Sequence, residues 1–270
     1  VPIVDSHTHL LPGRLAEKVR AFLDAHLAGA IVYPLDHGLV RDRLAADGVD
    51  EVWSLPYAHK PGVADGLNVS MAQTARRSGS VSVVGGATVH PGDPDPAAVL
   101  RRGVEDLGLR VLKLHCSVGD YRPDDPRLIP TWEYAGEIRL PVVVHAGHAV
   151  SGRTEVDDLA AVGTVAARHP DATIVIAHCG HRAVDAALDL VERHANVYAD
   201  LTPVMAEPVV VPPGRLEAVA PKLLFGSDAP NTGIEVGTGM AAVRALPLSD
   251  DVKAAILGGT ASALVAAVRS

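Results

Sequence analysis

Short apolar runs punctuate this chain from its first residues to its last quarter. They fall at residues 3–5, 51–55, 81–88, 111–115, 141–145, 173–178, 197–200 and 223–227. Most are built from Val, Ile and Leu, and several are continuous rather than alternating. That is the pattern of parallel strands covered on both faces. Between them, apolar residues recur at helical spacing over 15–28, 35–46, 69–77, 97–107, 129–138, 156–169, 183–194, 216–220, 236–246, 250–257 and 261–269. Asp95-Pro96 offers a cap and a first turn to one of these helices. Asp157 and Asp158 open another and Arg168 and His169 close it, matching the helix dipole. Eight strands alternating with helices predict an α/β protein, a single (β/α)8 TIM barrel, as one domain over residues 1–270. A doubly wound sheet would want Gly-x-Gly-x-x-Gly after the first strand. His7-Thr8-His9 stands there instead. The proline-rich stretch 204–214 reads as a surface loop over the barrel mouth.

Composition narrows the picture. With 270 residues, 48% hydrophobic and 21% charged, the chain can bury a large core. A net charge of -8 with interspersed signs argues against nucleic acid or an anionic membrane as partner and leaves a small-molecule substrate. No apolar run approaches the roughly 20 residues of a membrane span, and no basic-then-apolar signal sequence opens the chain. Cys116 and Cys179 are too few for a disulfide framework and fit a reducing cytoplasm. Each follows a histidine expected at a strand end, so strand alternation turns each thiol away from the mouth into the core. A homodimer is the default among soluble oligomers, although no sequence feature demands one.

In a barrel, the C-terminal strand ends ring one mouth. His7 and His9, two apart, aim at one point beyond the first strand. Lys113 and His115 share a face of the fourth. His145 ends the fifth, His178 the sixth, and Asp228 follows the eighth. Imidazoles with one carboxylate suit zinc, and the same set accepts manganese, iron or cobalt. Each residue alone has an ordinary explanation as a solvated or hydrogen-bonded side chain. Their joint occurrence at strand ends of one mouth predicts a divalent metal site. His148, Arg153 and His181 lie on the loops just beyond, with Arg153 able to clamp a carboxylate bidentately. Tyr57, His59, Lys60 and His90 are further loop candidates.

The motifs Val-Asp-Ser-His-Thr-His, Val-Lys-Leu-His, Val-Val-Val-His-Ala-Gly, Ile-Ala-His-Cys-Gly, Val-Tyr-Ala-Asp-Leu-Thr and Leu-Phe-Gly-Ser-Asp-Ala-Pro occur in that order. Together they resemble the amidohydrolase superfamily. Their form is most similar to the amidohydrolase-related branch that includes aminocarboxymuconate-semialdehyde decarboxylase-like enzymes. The closing Ile-Leu-Gly-Gly-Thr-Ala-Ser-Ala-Leu fits too, with Thr260 where an asparagine is usual. The resemblance spans essentially the whole chain and is specific for the superfamily, not for a reaction. It implies that His7, His9, His145 and Asp228 hold one divalent metal, expected to be zinc. His178 would ligate it or sit beside its water. Lys113, carbamylated in dinuclear relatives, would bridge a second metal only if so modified. His115 would contact substrate or support the ligands, and Arg153, His148 and His181 are candidates for substrate contact by their loop positions alone.

The function expected from these residues is hydrolysis of a small amide, ester or lactone. Metal-bound water, its pKa lowered to about 7, would attack a carbonyl, with Asp228 as general base and then acid. His178 would assist at the oxyanion. The alternative is non-oxidative decarboxylation, or hydration, of an unsaturated or aromatic carboxylic acid on the same site. An aromatic content of 3% and the shortage of long loops lean toward hydrolysis. A barrel that only binds a ligand would be expected to lack one of the principal site residues, and none is missing.

Overall fold

The computed structural model describes residues 1–26, 31–147 and 151–269. The strands are β1 (Val4–Thr8), β2 (Glu51–Ser54), β3 (Ser82–Thr88), β4 (Val111–His115), β5 (Pro141–His145), β6 (Thr173–Ile176), β7 (Val197–Asp200) and β8 (Leu223–Leu224). They lie in one sheet in sequence order, and every ladder is parallel. Three backbone hydrogen bonds bring the two edges together. Ser6 N–H donates to Phe225 C=O at 2.9 Å, Asp228 N–H to His7 C=O at 2.8 Å and His9 N–H to Ala229 C=O at 2.7 Å. The expected TIM barrel is therefore present.

The helices are α1 (Gly13–His26), α2 (His37–Ala46), α3 (Ala64–Ala75), α4 (Pro96–Glu105), α5 (Cys116–Gly119), α6 (Ile129–Glu137), α7 (Glu155–Arg168), α8 (Val184–Arg193), α9 (Pro213–Val219), α10 (Val236–Arg244), α11 (Asp250–Ala254) and α12 (Thr260–Ala266). The cap the sequence offered is used: Asp95 accepts from Ala98 N–H at 2.9 Å. Thr154 with Asp157 adds a capping box at the start of α7. The third helix begins earlier than expected, at Ala64, because its N-cap Val63 supplies no side-chain cap to mark it. The expected first helix runs to residue 28, and its last two positions lie outside the described residues.

Two strands fall short of their apolar runs by two residues or more. The sixth ends at Ile176 and turns through a tight helical turn, Ala177–Gly180, in which His178 and Cys179 take positive φ of 54° and 46°. The eighth ends at Leu224, and Asp228 has φ 66°. Left-handed backbone at non-glycine residues is costly and gathers where a side chain must be aimed. Cys179 is buried by this turn and Cys116 by the start of α5, rather than by strand alternation.

The barrel interior and its wall are separate clusters. Val4, Trp53, Val111, Val143, Val175 and Leu224 fill the interior with Ala261 from α12. The larger cluster packs helices onto the outer sheet face through Leu112, Leu114, Val142, Val144, Ile174 and Ile176 among others. Gly258 permits the closing segment to lie against the first strand, since a Cβ there would stand 2.8 Å from Val4 N.

Candidate metal centre and substrate cavity

One strand face runs from apolar core to chemistry. Val111, Lys113 and His115 alternate inward on β4, and Val143 and His145 on β5, with His115 in register with His145. Their rings stack at 3.9 Å between centroids. His7 is the next-to-last residue of β1, within a register irregularity between Asp5 and Thr8, and His9 follows the strand end. His178 arrives on its turn, 4.7 Å from His7 and 4.9 Å from His145, centroid to centroid. Asp228 Oδ1 lies 3.1 Å from His9 Nε2 and 3.9 Å from His7 Nε2. Gly226 lets this segment press against β1, for a Cβ there would meet His7 Cβ at 2.7 Å.

Hydrogen bonds fix which nitrogen each imidazole offers. A carbonyl or carboxylate oxygen can only accept, so the nitrogen facing it carries the proton. His9 Nδ1 donates to Leu55 C=O at 2.7 Å, which turns Nε2 to Asp228. His7 Nδ1 donates to Asp200 Oδ2 at 2.9 Å, and His178 Nδ1 faces Thr202 C=O at 3.3 Å. Both Nε2 atoms are thereby offered to the mouth. Asp200 is fully buried, and its Oδ1 also accepts from His178 N–H at 2.8 Å and Thr202 N–H at 3.2 Å. It orients the His7 imidazole directly, the carboxylate–histidine support typical of metal ligands, and pins the backbone of the turn that carries His178.

The electrostatics suit a cation. Burial pushes the His7 imidazole down to about 3, with the neighbouring Lys113 charge helping. Burial also lowers His178, and lowers His115 and His145 well below the usual range, so these rings are neutral at pH 7 with lone pairs free. For Asp228 burial acts upward, but the His9 hydrogen bond and the surrounding imidazoles outweigh it and hold the carboxyl low. Burial likewise opposes ionisation of Asp200, and the His7 contact wins. Lys113 is fully buried, its Nζ 3.1 Å from His7 Nε2, and burial brings its pKa down to about 8.

This donor set fits a divalent metal. His7, His9 and Asp228 present ligand atoms within 4.8 Å of one another. His7, His178 and Asp200 form a second such group, but both Asp200 oxygens already accept N–H bonds. His145 lies across the mouth from the first group, beside His178. As a neutral amine Lys113 leaves room for a cation at His7 Nε2. As an ammonium it would oppose one.

Above these residues opens a cavity of about 870 Å³. Its floor is His9, His115, His145, His178 and Asp228. Its walls are mostly apolar, with Leu15, Val19, Phe22 and Leu23 from α1, Val118 from α5 and Val204 and Met205 from the loop after β7. Arg14 and Lys18 of α1 also line it. Tyr57 and Asn231 reach it from either side of β1, each less than a tenth exposed. Among the described residues neither side chain has a polar protein partner. Tyr57 packs edge-on to His9 at 5.4 Å and against His115 at 4.8 Å, and burial pushes its phenol up, keeping it a donor.

The expected site residues divide. His7, His9, Lys113, His115, His145, His178 and Asp228 are brought together. Arg153 is not on the cavity wall. It donates to Asp158 at 2.8 Å and to Tyr121 C=O at 2.8 Å, and fastens the loop after β4 to the start of α7. Its guanidinium is engaged by that buried carboxylate, away from the histidines. His181 faces Glu207 at 3.1 Å, off the cavity. His148 lies outside the described residues. Of the other loop candidates, Tyr57 and His59 line the cavity, whereas His90 bonds to the neighbouring backbone. Asp200 escaped the sequence reading, although an acidic residue closing a buried strand was a visible signal. Arg14, Lys18 and Asn231 gave none.

The sequence profile of the family described as Amidohydrolase matches residues 4–266. The chain belongs to the amidohydrolase family. No curated protein matches it. An uncharacterized TIM-barrel protein from Bordetella bronchiseptica is 19% identical, with 99% of each chain covered and a TM-score of 0.78. A 4-oxalomesaconate hydratase from Rhodopseudomonas palustris is 17% identical over 98% of this chain and 96% of that one, TM-score 0.66. The 5-carboxyvanillate decarboxylase of Novosphingobium aromaticivorans, solved with manganese and 4-hydroxy-3-methoxy-5-nitrobenzoic acid, is 13% identical over 98% and 95%, TM-score 0.69. These likenesses establish the fold. Among the described residues no helix is long and apolar enough to cross a membrane.

Proposed function

We propose that this amidohydrolase-family enzyme is a metal-dependent lyase that removes carbon dioxide from, or adds water to, a small unsaturated or aromatic carboxylic acid. The observation that carries this reading is the wide, mainly apolar cavity that opens directly on the histidine and aspartate floor. The sequence leaned toward hydrolysis partly because the loops looked too short for an elaborate pocket. A helix, α1, builds that pocket instead. The decarboxylase and the hydratase of the same fold support the reading.

His7, His9, His145 and Asp228 would hold the metal, with His178 beside it, and the manganese-bound neighbour makes manganese as good a candidate as zinc. A bound divalent cation supplies Lewis acidity toward substrate oxygens. The chain's own residues do the rest. The apolar walls hold the hydrocarbon body and exclude water, which weakens solvation of the departing carboxylate. Tyr57 donates to a substrate oxygen, and His178 Nε2 faces the same space. The His9 hydrogen bond and the surrounding imidazoles hold Asp228 ionised. An arriving anion raises its proton affinity, so it picks up a proton from solvent. When the bond to carbon dioxide breaks, its electron pair stays on carbon, and Asp228 delivers that proton there.

The test is a paired screen of manganese- and zinc-loaded protein. One arm follows carbon dioxide release and ultraviolet change with hydroxybenzoates and unsaturated acids. The other follows acid release from amides, esters and lactones. Turnover confined to the second arm would reject the lyase in favour of the hydrolase.

A further inference from the structure

α1 is an amphipathic helix laid with its apolar stripe toward the cavity. Leu15, Val19, Phe22 and Leu23 fall at helical spacing on one face. Only part of that face is covered. Ala16 packs with Leu11 and Tyr57, and Leu15 and Val19 rest against that cluster half-buried. Phe22 is 59% exposed. A stripe of this kind ordinarily faces the core, and here it faces the cavity that leads to the metal ligands.

Beside the stripe stand Arg14 and Lys18, four residues apart and on one side of the helix. Both are exposed at the cavity rim, and among the described residues neither makes an ion pair or hydrogen bond. Several other arginines do hold a carboxylate, among them Arg102 with Asp65, Arg122 with Asp124, Arg127 with Asp125, Arg153 with Asp158 and Arg215 with Asp189. In a chain of net charge -8, two unpaired cations next to each other at the entrance form a local anion-attracting edge. The volume, about 870 Å³, is at the upper end of the roughly 300–1,000 Å³ of small-molecule sites. It exceeds what one small acid at the floor would fill.

We propose that the substrate is an elongated acid with two anionic ends. Its reacting carboxylate lies at the histidine floor, its apolar body lies along Leu15, Val19 and Phe22, and a second acidic group is held at the rim by Arg14 and Lys18. This rests on the lyase reading for the role of the floor, but the rim grip can be measured without turnover. The guanidinium supplies a planar pair of donors and the ammonium a point charge, so together they favour a carboxylate or phosphate over a neutral polar group.

Isothermal titration of metal-loaded protein with hexanoate, octanoate and decanoate, against hexanedioate, octanedioate and decanedioate, tests it. Affinity of the monoacids should rise with chain length. At one length the dioate should bind about tenfold tighter than the monoacid, as expected for a charge-assisted bond worth about 1.5 kcal/mol. That advantage should shrink in 0.5 M salt, because the rim is exposed. In the double variant Arg14→Gln/Lys18→Gln it should vanish while monoacid affinity is kept. Dioates no tighter than monoacids at every length, or an advantage that survives the double variant, would overturn the proposal. A pair-dependent dioate advantage without any lyase turnover would reject the reaction and keep the subsite. Lyase turnover of monoacids with no dioate preference would do the reverse.

Discussion

The two ends of the barrel are made by the same strands and obey opposite rules. On β4 the inward face passes from Val111 to Lys113 to His115, and on β5 from Val143 to His145. At the lower end, Val4, Trp53, Val143, Val175 and Leu224 close on one another and on Ala261 with almost no exposure. At the upper end the side chains are polar and partly opposed in charge, and are held by Asp200, Leu55 C=O and Thr202 C=O. The lower end is stable by excluding water. The upper end keeps its shape by hydrogen bonds and so can leave lone pairs turned to a ligand. The barrel thus separates the residues that hold it together from the residues that line the candidate site, as expected of this architecture.

Four experiments sharpen or break that separation. The largest effect is expected at the upper end. Asp228→Asn keeps the side-chain shape and removes the proton carrier, and should cut turnover about 1,000-fold. Thermal melting should barely move, and retained turnover would remove Asp228 from the chemistry. At the lower end Leu224→Ala should cost about 2–5 kcal/mol in denaturant unfolding, as buried leucines do. Its folded fraction should keep its metal per chain, and metal loss would show that the two ends are coupled.

Asp200→Asn probes the join. It weakens the acceptor that sets the His7 tautomer, and should lower metal affinity about 10–100-fold with little loss of fold. Unchanged affinity in a competition titration would restrict Asp200 to packing. The last test is pH. Burial holds His7, His115, His145 and His178 below their unfolded value of 6.5, so the unfolded chain binds more protons as pH falls below about 6.5. Their contribution is present above that pH and is lost on acidification, by up to about 1.4 kcal/mol per pH unit for each ring. Asp5, raised to about 7 by burial, runs the other way and offsets one ring between its ordinary value and 7. Apoprotein unfolding between pH 7 and 5 should therefore show falling stability, and metal should protect less at pH 5. A flat profile would mean that the rings are not buried as neutral groups.

The strands, the barrel and the cluster of histidines with Asp228 were legible in the chain. Buried parallel strands must be apolar throughout, and a barrel places their ends together whatever the loops do. Arg153 lies off the histidine cavity because a loop position beside a strand end does not fix direction. A carboxylate on the next helix, Asp158, captured it. His178 was read as the end of an extended strand, yet a left-handed turn aims it. No local pattern announces positive φ at a histidine, since that conformation is held by its surroundings.

Sequence by itself determined the α/β barrel, the family and the residues that face the mouth, because period and strand order are local properties that the chain writes directly. Tertiary structure alone decided which nitrogen each imidazole offers, that Asp200 meets His7 while Arg153 turns to Asp158, and that α1 lays its apolar stripe and Arg14 and Lys18 along the cavity. Those outcomes depend on contacts between residues far apart in the chain. The Asp200 bond to His7 spans 193 positions, and no spacing rule reaches that far.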